Sequence, residues 1–441
     1  PRGASALSVI RLSGPQAVPI ADSIFSRDLS SQATHTAHVG YVGDPEHPID
    51  QVVCTLFLAP RSATGEDVVE ISCHGSDVAS DAVIKLLVER GARMAEPGEF
   101  TLRAFMNGKV DLAQAEAIGE LIHARSERAG RISMAHLRGR YSAELNAIRD
   151  GLVELLSLIE LELDFSEEDV AFADRARLEG LLDAASSRLH AMTASFRFGH
   201  AVKDGIRVVI VGKPNAGKST LMNALLGYDR VIVSDTPGTT RDEVEGSVEY
   251  EGIRFSFVDT AGRRKTEDAI EAEGVRRSEA AEQGADLVIE LVDVSDADLG
   301  LSPSPAPSSV ARLRLGNKVD LVSESDQAKL SDQVDMLVSA EAMRVGAFPV
   351  EDLLSRVMSL TVGDEHMADE HQVVTSQRQQ AHIRAAADAI DRVHVALRAG
   401  LSGDMISSDV RLVIDEIGAV TGAITNEDIL DQIFSRFCIG K

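Results

Sequence analysis

Proline is missing from Gly98 to Lys213 and again from Val350 to Lys441, so both stretches lack the commonest helix breaker and read as helical. Cysteine is scarce. Cys54, Cys73 and Cys438 are too few and too scattered for a disulfide framework or a zinc site, and they fit a reducing compartment. Cys73-His74 reads as the end of a buried strand, because two potential ligands do not close a metal site. Positive charge is in deficit: a net charge of −26 argues against a general electrostatic grip on nucleic acid and leaves any RNA contact to local patches. No apolar run is long enough to span a membrane, and no signal-peptide pattern is present. The chain opens Pro1-Arg2-Gly3 without a methionine, which leads us to expect a further segment upstream.

The 441 residues predict about three domains. Residues 1 to about 105 hold short β-rich runs, Ser8–Leu12, Val52–Leu58 and Val68–Cys73, and read as an α+β domain. In the proline-free stretches, Leu152, Leu155, Leu156, Ile159 and Leu163 keep a helical stripe, as do Ile383, Ala387, Ile390, Val393 and Leu397. Prolines gather before and within the intervening window. Two helical segments flanking an inserted α/β domain are expected to pack against each other as one helical domain.

That insert carries the most specific signal. Gly212-Lys-Pro-Asn-Ala-Gly-Lys-Ser219 follows the apolar run Ile206–Val211 and precedes a helix expected over Ser219–Leu226. Gly212 and Gly217 let backbone N–H groups wrap a polyphosphate, Lys218 reaches the outer phosphates, and Ser219 offers a hydroxyl to Mg²⁺. Gly238-Thr-Thr-Arg-Asp242 lies where a loop can bring a threonine to the same ion. Asp259-Thr-Ala-Gly262 ends the alternating run Ile253–Val258, which puts Asp259 at a strand's carboxyl end and lets Gly262 present its N–H to a γ-phosphate. Asn317-Lys-Val-Asp320 supplies base choice: one carboxylate accepts from guanine N1–H and the exocyclic amine, whereas adenine leaves it unpaired. In this order the four motifs point to GTP.

One expected residue is absent. Where Ras-like enzymes place a water-orienting glutamine after the glycine of Asp-x-x-Gly, this chain has Arg263, then Arg264 and Lys265. The hydrolytic water needs another escort. Asn215 is a candidate ligand for a monovalent cation that neutralises charge developing on the phosphates, or a loop asparagine bonded to its own backbone.

The ending Phe434-Ser-Arg-Phe-Cys-Ile-Gly-Lys441, with Gly65-Glu-Asp-Val-Val-Glu70, Pro97-Gly-Glu-Phe100 and Arg103-Ala-Phe-Met-Asn-Gly-Lys109-Val-Asp-Leu-Ala-Gln-Ala-Glu116, resembles the MnmE family, also called TrmE, over nearly the whole chain. The resemblance implies a multidomain α+β and α/β protein. It divides into an N-terminal tetrahydrofolate-binding and dimerisation domain (1–106), a helical domain in two parts (107–200 and 362–441, the latter ending in Cys-Ile-Gly-Lys) and an inserted Ras-like P-loop GTPase domain (201–361). It also implies a homodimer that works with an FAD-dependent partner, MnmG- or GidA-like, in a heterotetramer or larger assembly. That complex installs an aminomethyl-type group, as in carboxymethylaminomethyl, on C5 of the wobble uridine of certain tRNAs. The one-carbon unit comes from a folate, a methylene- or 5-formyl-tetrahydrofolate. The setting is the bacterial cytoplasm, or the mitochondrial matrix in a eukaryote.

Carried over by position, folate contacts fall on Arg11, Glu70, Lys109 and Lys441. GTP contacts fall on Asn215, Ala216, Gly217, Lys218, Ser219 and Thr220; on Ser234, Asp235, Thr236, Pro237, Gly238, Thr239 and Thr240; on Asp259, Thr260, Ala261 and Gly262; and on Asn317, Lys318, Asp320, Ser339 and Ala340. K⁺ is held by Asn215, Ser234, Thr236 and Thr239, Mg²⁺ by Ser219 and Thr240, and the water by the acid Glu271. Glu271 reads otherwise as a solvated helix position, and Glu70 as a solvated strand-end carboxylate. Cys438 stands near the folate site in the family, as a reactive thiol or a pocket wall. Its tetrapeptide superficially resembles a prenylation box, but Lys441 is not a residue such boxes end with. The arginines at 125, 128, 131, 138 and 140 form the clearest basic stretch, a solvated helix face or a tRNA backbone contact.

Some positions depart from the family pattern. Arg263 replaces an aliphatic residue, Pro237 tightens the cation loop, and Ser302–Ser309 looks like a flexible insertion. The strand before Asn317 reads Ala311-Arg-Leu-Arg-Leu-Gly316 rather than uniformly apolar, and Glu341 stands where Lys or Arg is common, so weakened guanine affinity is expected. The main alternative is an Era- or Der-like ribosome-assembly switch, which shares the nucleotide motifs. Such proteins usually append a basic RNA-binding module, whereas this chain is acidic and ends in Cys-Ile-Gly-Lys.

Overall fold

A computed structural model of the chain describes residues 5–164, 175–228, 245–259, 284–296, 310–363, 370, 372–425, 427–435, 437 and 440. Two compact units emerge, one of residues 1–119, 136–149 and 414–441, the other of 120–135 and 150–413.

The first unit holds a four-stranded antiparallel sheet in the order β1-β4-β3-β2, with β1 Leu7–Ser13, β2 Thr36–Gly43, β3 Pro48–Phe57 and β4 Val68–His74. Period-two alternation explains the layer. Leu12, Val52, Cys54, Leu56, Val69, Ile71 and Cys73 are buried with Val83 and Leu87 of the helix Asp77–Glu89. Arg11, next to the buried Leu12, therefore faces the other way, opposite Glu70 in the register. Cys54 and Cys73 are free, buried thiols. Burial pushes the Cys54 thiol up to about 12, so it stays protonated and inert at neutral pH. His74, at the end of β4, is exposed and paired with Asp50 rather than with Cys73. In the same unit, Leu112, Ala115 and Phe434 form a smaller core.

The second unit is built on a six-stranded sheet in the order β10-β9-β8-β5-β7-β6. Its strands are β5 Ile206–Val211, β6 Glu245–Tyr250, β7 Ile253–Asp259, β8 Leu287–Asp293, β9 Ala311–Asn317 and β10 Met336–Leu337. Only β6 is antiparallel to its neighbour; the other pairs are parallel. Parallel central strands are covered on both faces, which is why β5 and β8 are almost unbroken apolar runs. β9 departs from that rule without losing its place. Leu313 and Leu315 are fully buried, while Arg314 donates from Nε to Glu290 Oε2 at 3.0 Å and from its backbone N–H to Asp335 Oδ2 at 2.7 Å. Acidic neighbours on either side thus accommodate the arginine that made this strand look unsuitable.

The helical stripes behave as their spacing predicts. Leu152, Leu155 and Ile159 are buried along the helix Arg140–Asp164, and Ile383, Ala387, Ile390 and Val393 along Gln377–Arg398. The last of these helices packs along Arg175–Asp204, so helical segments on either side of the sheet in sequence do meet in space. Arg175–Asp204 continues to within two residues of β5. Among the described residues no group of histidine, cysteine and acidic side chains is arranged to hold a metal ion, and no helix is long and apolar enough to cross a membrane.

Candidate functional site

β5 ends at Val211, and the chain turns through Gly212–Gly217 into the helix Lys218–Leu226, one residue earlier than its sequence start. Asn215 and Gly217 both take left-handed backbone angles, φ 65° and 100°. At Gly217 the requirement is double: a Cβ there would sit 2.2 Å from Asn317 Nδ2, so glycine serves both the turn and the close approach. Lys218 is nearly buried, 8% exposed. Its Nζ donates to the carbonyls of Gly212 at 2.8 Å and Lys213 at 2.9 Å, so the loop curls around an ammonium. Asn215 and Ser219 are exposed, one at the crest of the loop and the other in the first helical turn. A concave loop, a fixed cation and a helix N-terminus make an anion cradle.

Asn317 ends β9 and has a role that the sequence did not reveal. Its Nδ2 donates to the Ala216 carbonyl at 2.7 Å, and its Oδ1 accepts from the Ala340 N–H at 2.8 Å. A single buried amide therefore ties the phosphate loop to the second loop of the site. Ser339 caps the helix Ala340–Arg344, its hydroxyl accepting from the Ala342 N–H at 3.1 Å. Lys318, with a left-handed φ of 68°, pairs with Asp293 at the end of β8. Burial opposes the charge on Asp293, but hydrogen bonds from Lys318 and Ser295 outweigh it and hold the carboxyl below its ordinary range. Asp293 was not among the sequence candidates; its only signal is an acidic residue closing the largely apolar strand Leu287–Asp293. Asp320 follows in the short turn Val319–Leu321 and is exposed, where its carboxylate is open to a base. Glu341 is held by Arg344 of its own helix, Nε to Oε2 at 2.9 Å.

Asp259 closes β7, in register with Ile210 on the neighbouring strand, which puts it at the same sheet edge as the phosphate loop. Other candidates, Ser234–Thr240, Thr260–Gly262, Glu271, Cys438 and Lys441, lie outside the described residues.

The folate candidates belong to the first unit. Arg11 donates from Nε and Nη2 to Glu70 Oε1 at 2.8 and 2.6 Å, and its guanidinium lies 5.6 Å from the Phe100 ring centre. Arg11 also lines a cavity of about 380 Å³ with Ile20, Leu87, Phe100, Arg93 and Arg103. Glu99 borders it, and hydrogen bonds from Arg93, with help from Arg103, hold its carboxyl down at about 2. Lys109 is elsewhere, its Nζ donating to the Pro60 carbonyl at 2.9 Å; neither it nor Glu70 lines this cavity. The basic stretch is not uniform. Arg131 is 59% exposed, whereas Arg128 is only 17% exposed and stacks on Phe198, so Arg128 is not on a solvated face.

A mostly parallel sheet with a phosphate loop after β5 and an Asn-Lys-x-Asp turn after β9 defines a P-loop GTPase. The family models of the MnmE helical domain and of the GTP-binding protein TrmE N-terminus match residues 112–438 and 1–109. The tRNA modification GTPase MnmE of Salinibacter ruber is 50% identical over 100% of this chain and 97% of its own length, and that of Cytophaga hutchinsonii is 41% identical over 100% and 96%. A solved structure of Era from Aquifex aeolicus is similar over 42% of this chain and 66% of that one, at 23% identity and a TM-score of 0.26. The chain belongs to the MnmE family of tRNA modification GTPases.

Proposed function

We propose that this protein is a potassium-dependent GTPase that acts as a homodimer with an FAD-dependent partner, in the cytoplasm, to add an aminomethyl-type group to C5 of the wobble uridine of certain tRNAs. The observation that carries this reading is identity of 50% along the full chain to a tRNA modification GTPase, in a protein whose phosphate loop and guanine turn are joined through Asn317.

The residues present suit the implied ions and cofactor. At the cradle, Lys218 and the loop N–H groups take the outer phosphates, and Ser219 with Thr240 takes Mg²⁺. Asn215 with Ser234, Thr236 and Thr239 takes K⁺; its exposed position at the crest of the loop keeps its side chain within reach of nucleotide. Both cations supply fixed positive charge where negative charge develops on the phosphates. Glu271 orients the water, a task for which Arg263 is chemically unsuited. In the first unit, the Arg11–Glu70 pair and the Phe100 wall suit a flat hydrogen-bonding ring with an anionic tail. Folate, when bound, supplies the carbon unit.

GTP hydrolysis by the purified protein should rise at least about tenfold when K⁺ replaces Na⁺, and Glu271→Ala should remove about a hundredfold or more of the rate while leaving GTP affinity nearly unchanged. Steady-state phosphate release in the two salts measures both. Equal rates in K⁺ and Na⁺ would contradict the cation assignment.

A further inference from the structure

The two strands that border the nucleotide motifs form one hairpin. β6 starts shortly after Gly238–Asp242, and β7 ends on Asp259. Their ladder runs from Glu245 opposite Val258 to Tyr250 opposite Ile253, with a turn of two residues. Those two, Glu251 and Gly252, are both left-handed, φ 50° and 77°, the tight turn that suits twisted strands. Phe255, Phe257 and Val248 are buried on one face, so slippage by one residue would turn them to the opposite face; β6 and β7 keep their register, and β7 is laddered in turn to β5, which leads into the phosphate loop. The hairpin spans roughly 20 Å from the nucleotide edge to the tip.

The tip lies against Arg128. A Cβ on Gly252 would lie 2.8 Å from the Cβ of Arg128, and Arg128 Nη1 donates to the Glu251 carbonyl at 3.5 Å. The same guanidinium lies 4.4 Å from the ring centre of Phe198, which is fully buried, and its Nε is 3.6 Å from Glu370. Burial lowers the pKa of this arginine, so its position costs solvation that the Phe198, Glu370 and hairpin contacts offset. Arg131 reaches Glu370 at 3.4 Å as well, and among the described residues its side chain pairs with Glu370 rather than with the hairpin.

We propose that Arg128 is a positioning residue that couples the nucleotide site to the helix Glu127–Leu137 through the β6–β7 hairpin. The inference rests on the GTPase reading. Because coupling is reciprocal, a nucleotide that shifts the hairpin alters the helix, and loosening the helix contact alters the preference between GTP and GDP states by the same factor.

Hydrogen exchange of the full chain tests it, with Mg²⁺ and K⁺ and either GDP or a non-hydrolysable GTP analogue. Amides 127–137 should exchange differently in the two nucleotides. That difference should vanish in Arg128→Ala and in Arg128→Lys, which keeps the charge and stem but loses the fork, and should survive in Arg131→Ala. The ratio of analogue to GDP affinity should change about fivefold or more in Arg128→Lys; a role limited to packing would lower the melting temperature and leave this ratio alone. Indistinguishable exchange at 127–137 while both nucleotides protect amides 213–219, or a difference that persists in Arg128→Lys, overturns the coupling. Absence of protection at 213–219 with either nucleotide overturns the GTPase reading and the coupling with it.

Discussion

Asp320→Asn should reverse the base preference, lowering GTP affinity by about a thousandfold and making XTP the better ligand. The carboxylate accepts from guanine N1–H and the exocyclic amine at once. An asparagine offers one acceptor and one donor, which leaves the amine facing a donor but matches xanthine, whose C2 carries a carbonyl. Asp320 is exposed in a three-residue turn, so the substitution should leave stability within about 0.5 kcal/mol. Titration with GTP, XTP and ATP separates the cases. Unchanged GTP affinity would remove Asp320 from the base site, and equal wild-type affinity for ATP and GTP would remove the guanine assignment altogether. The unusual sequence of β9 is no reason to expect weak guanine binding, since Leu313, Leu315 and the Arg314–Glu290 pair build an ordinary buried strand.

Asn317→Ala should act in the opposite way, through structure first. The change strips partners from the Ala216 carbonyl and the Ala340 N–H, on residues each 1% exposed. An unsatisfied buried group costs about 1–3 kcal/mol, so the pair should lower unfolding stability by about 2–6 kcal/mol and weaken every nucleotide alike. Urea unfolding monitored by circular dichroism, together with GTP and XTP titrations, gives both quantities. A stability change below about 0.5 kcal/mol would show that other contacts hold the two loops together. The contrast with Asp320→Asn is diagnostic: one residue of Asn317-Lys-Val-Asp320 reads the base, and another holds the site in shape.

Much of this was legible because local chemistry admits few alternatives. Gly212-Lys-Pro-Asn-Ala-Gly-Lys-Ser219 fixes strand, loop and helix together, and β5 and β7 fall on the apolar runs that flank the motifs. The stripes at Leu152 and Ile383 marked their helices because a 3.6-residue period has one interpretation over several turns. What escaped depends on contacts between segments distant in sequence. The bridge from Asn317 to Ala216 and Ala340, and the pairing of Lys318 with Asp293, come from strand order, which periodicity does not encode. Arg128 sat in a basic run and looked solvated; only the fold brings it to Phe198 and the tip of the hairpin. Likewise, only strand register brings Glu70 opposite Arg11, a pairing that their separation in sequence does not reveal.

The central claim, a GTPase acting on wobble uridine, is tested most directly by mass analysis of tRNA nucleosides from cells lacking this protein, complemented with the intact chain, with Lys218→Ala or with Cys438→Ser. The C5-aminomethyl-type uridines should disappear in the deletion, return with the intact chain and stay absent with Lys218→Ala; the Cys438→Ser copy reports whether the thiol takes part in the chemistry. A nucleoside profile unchanged by the deletion would contradict the claim.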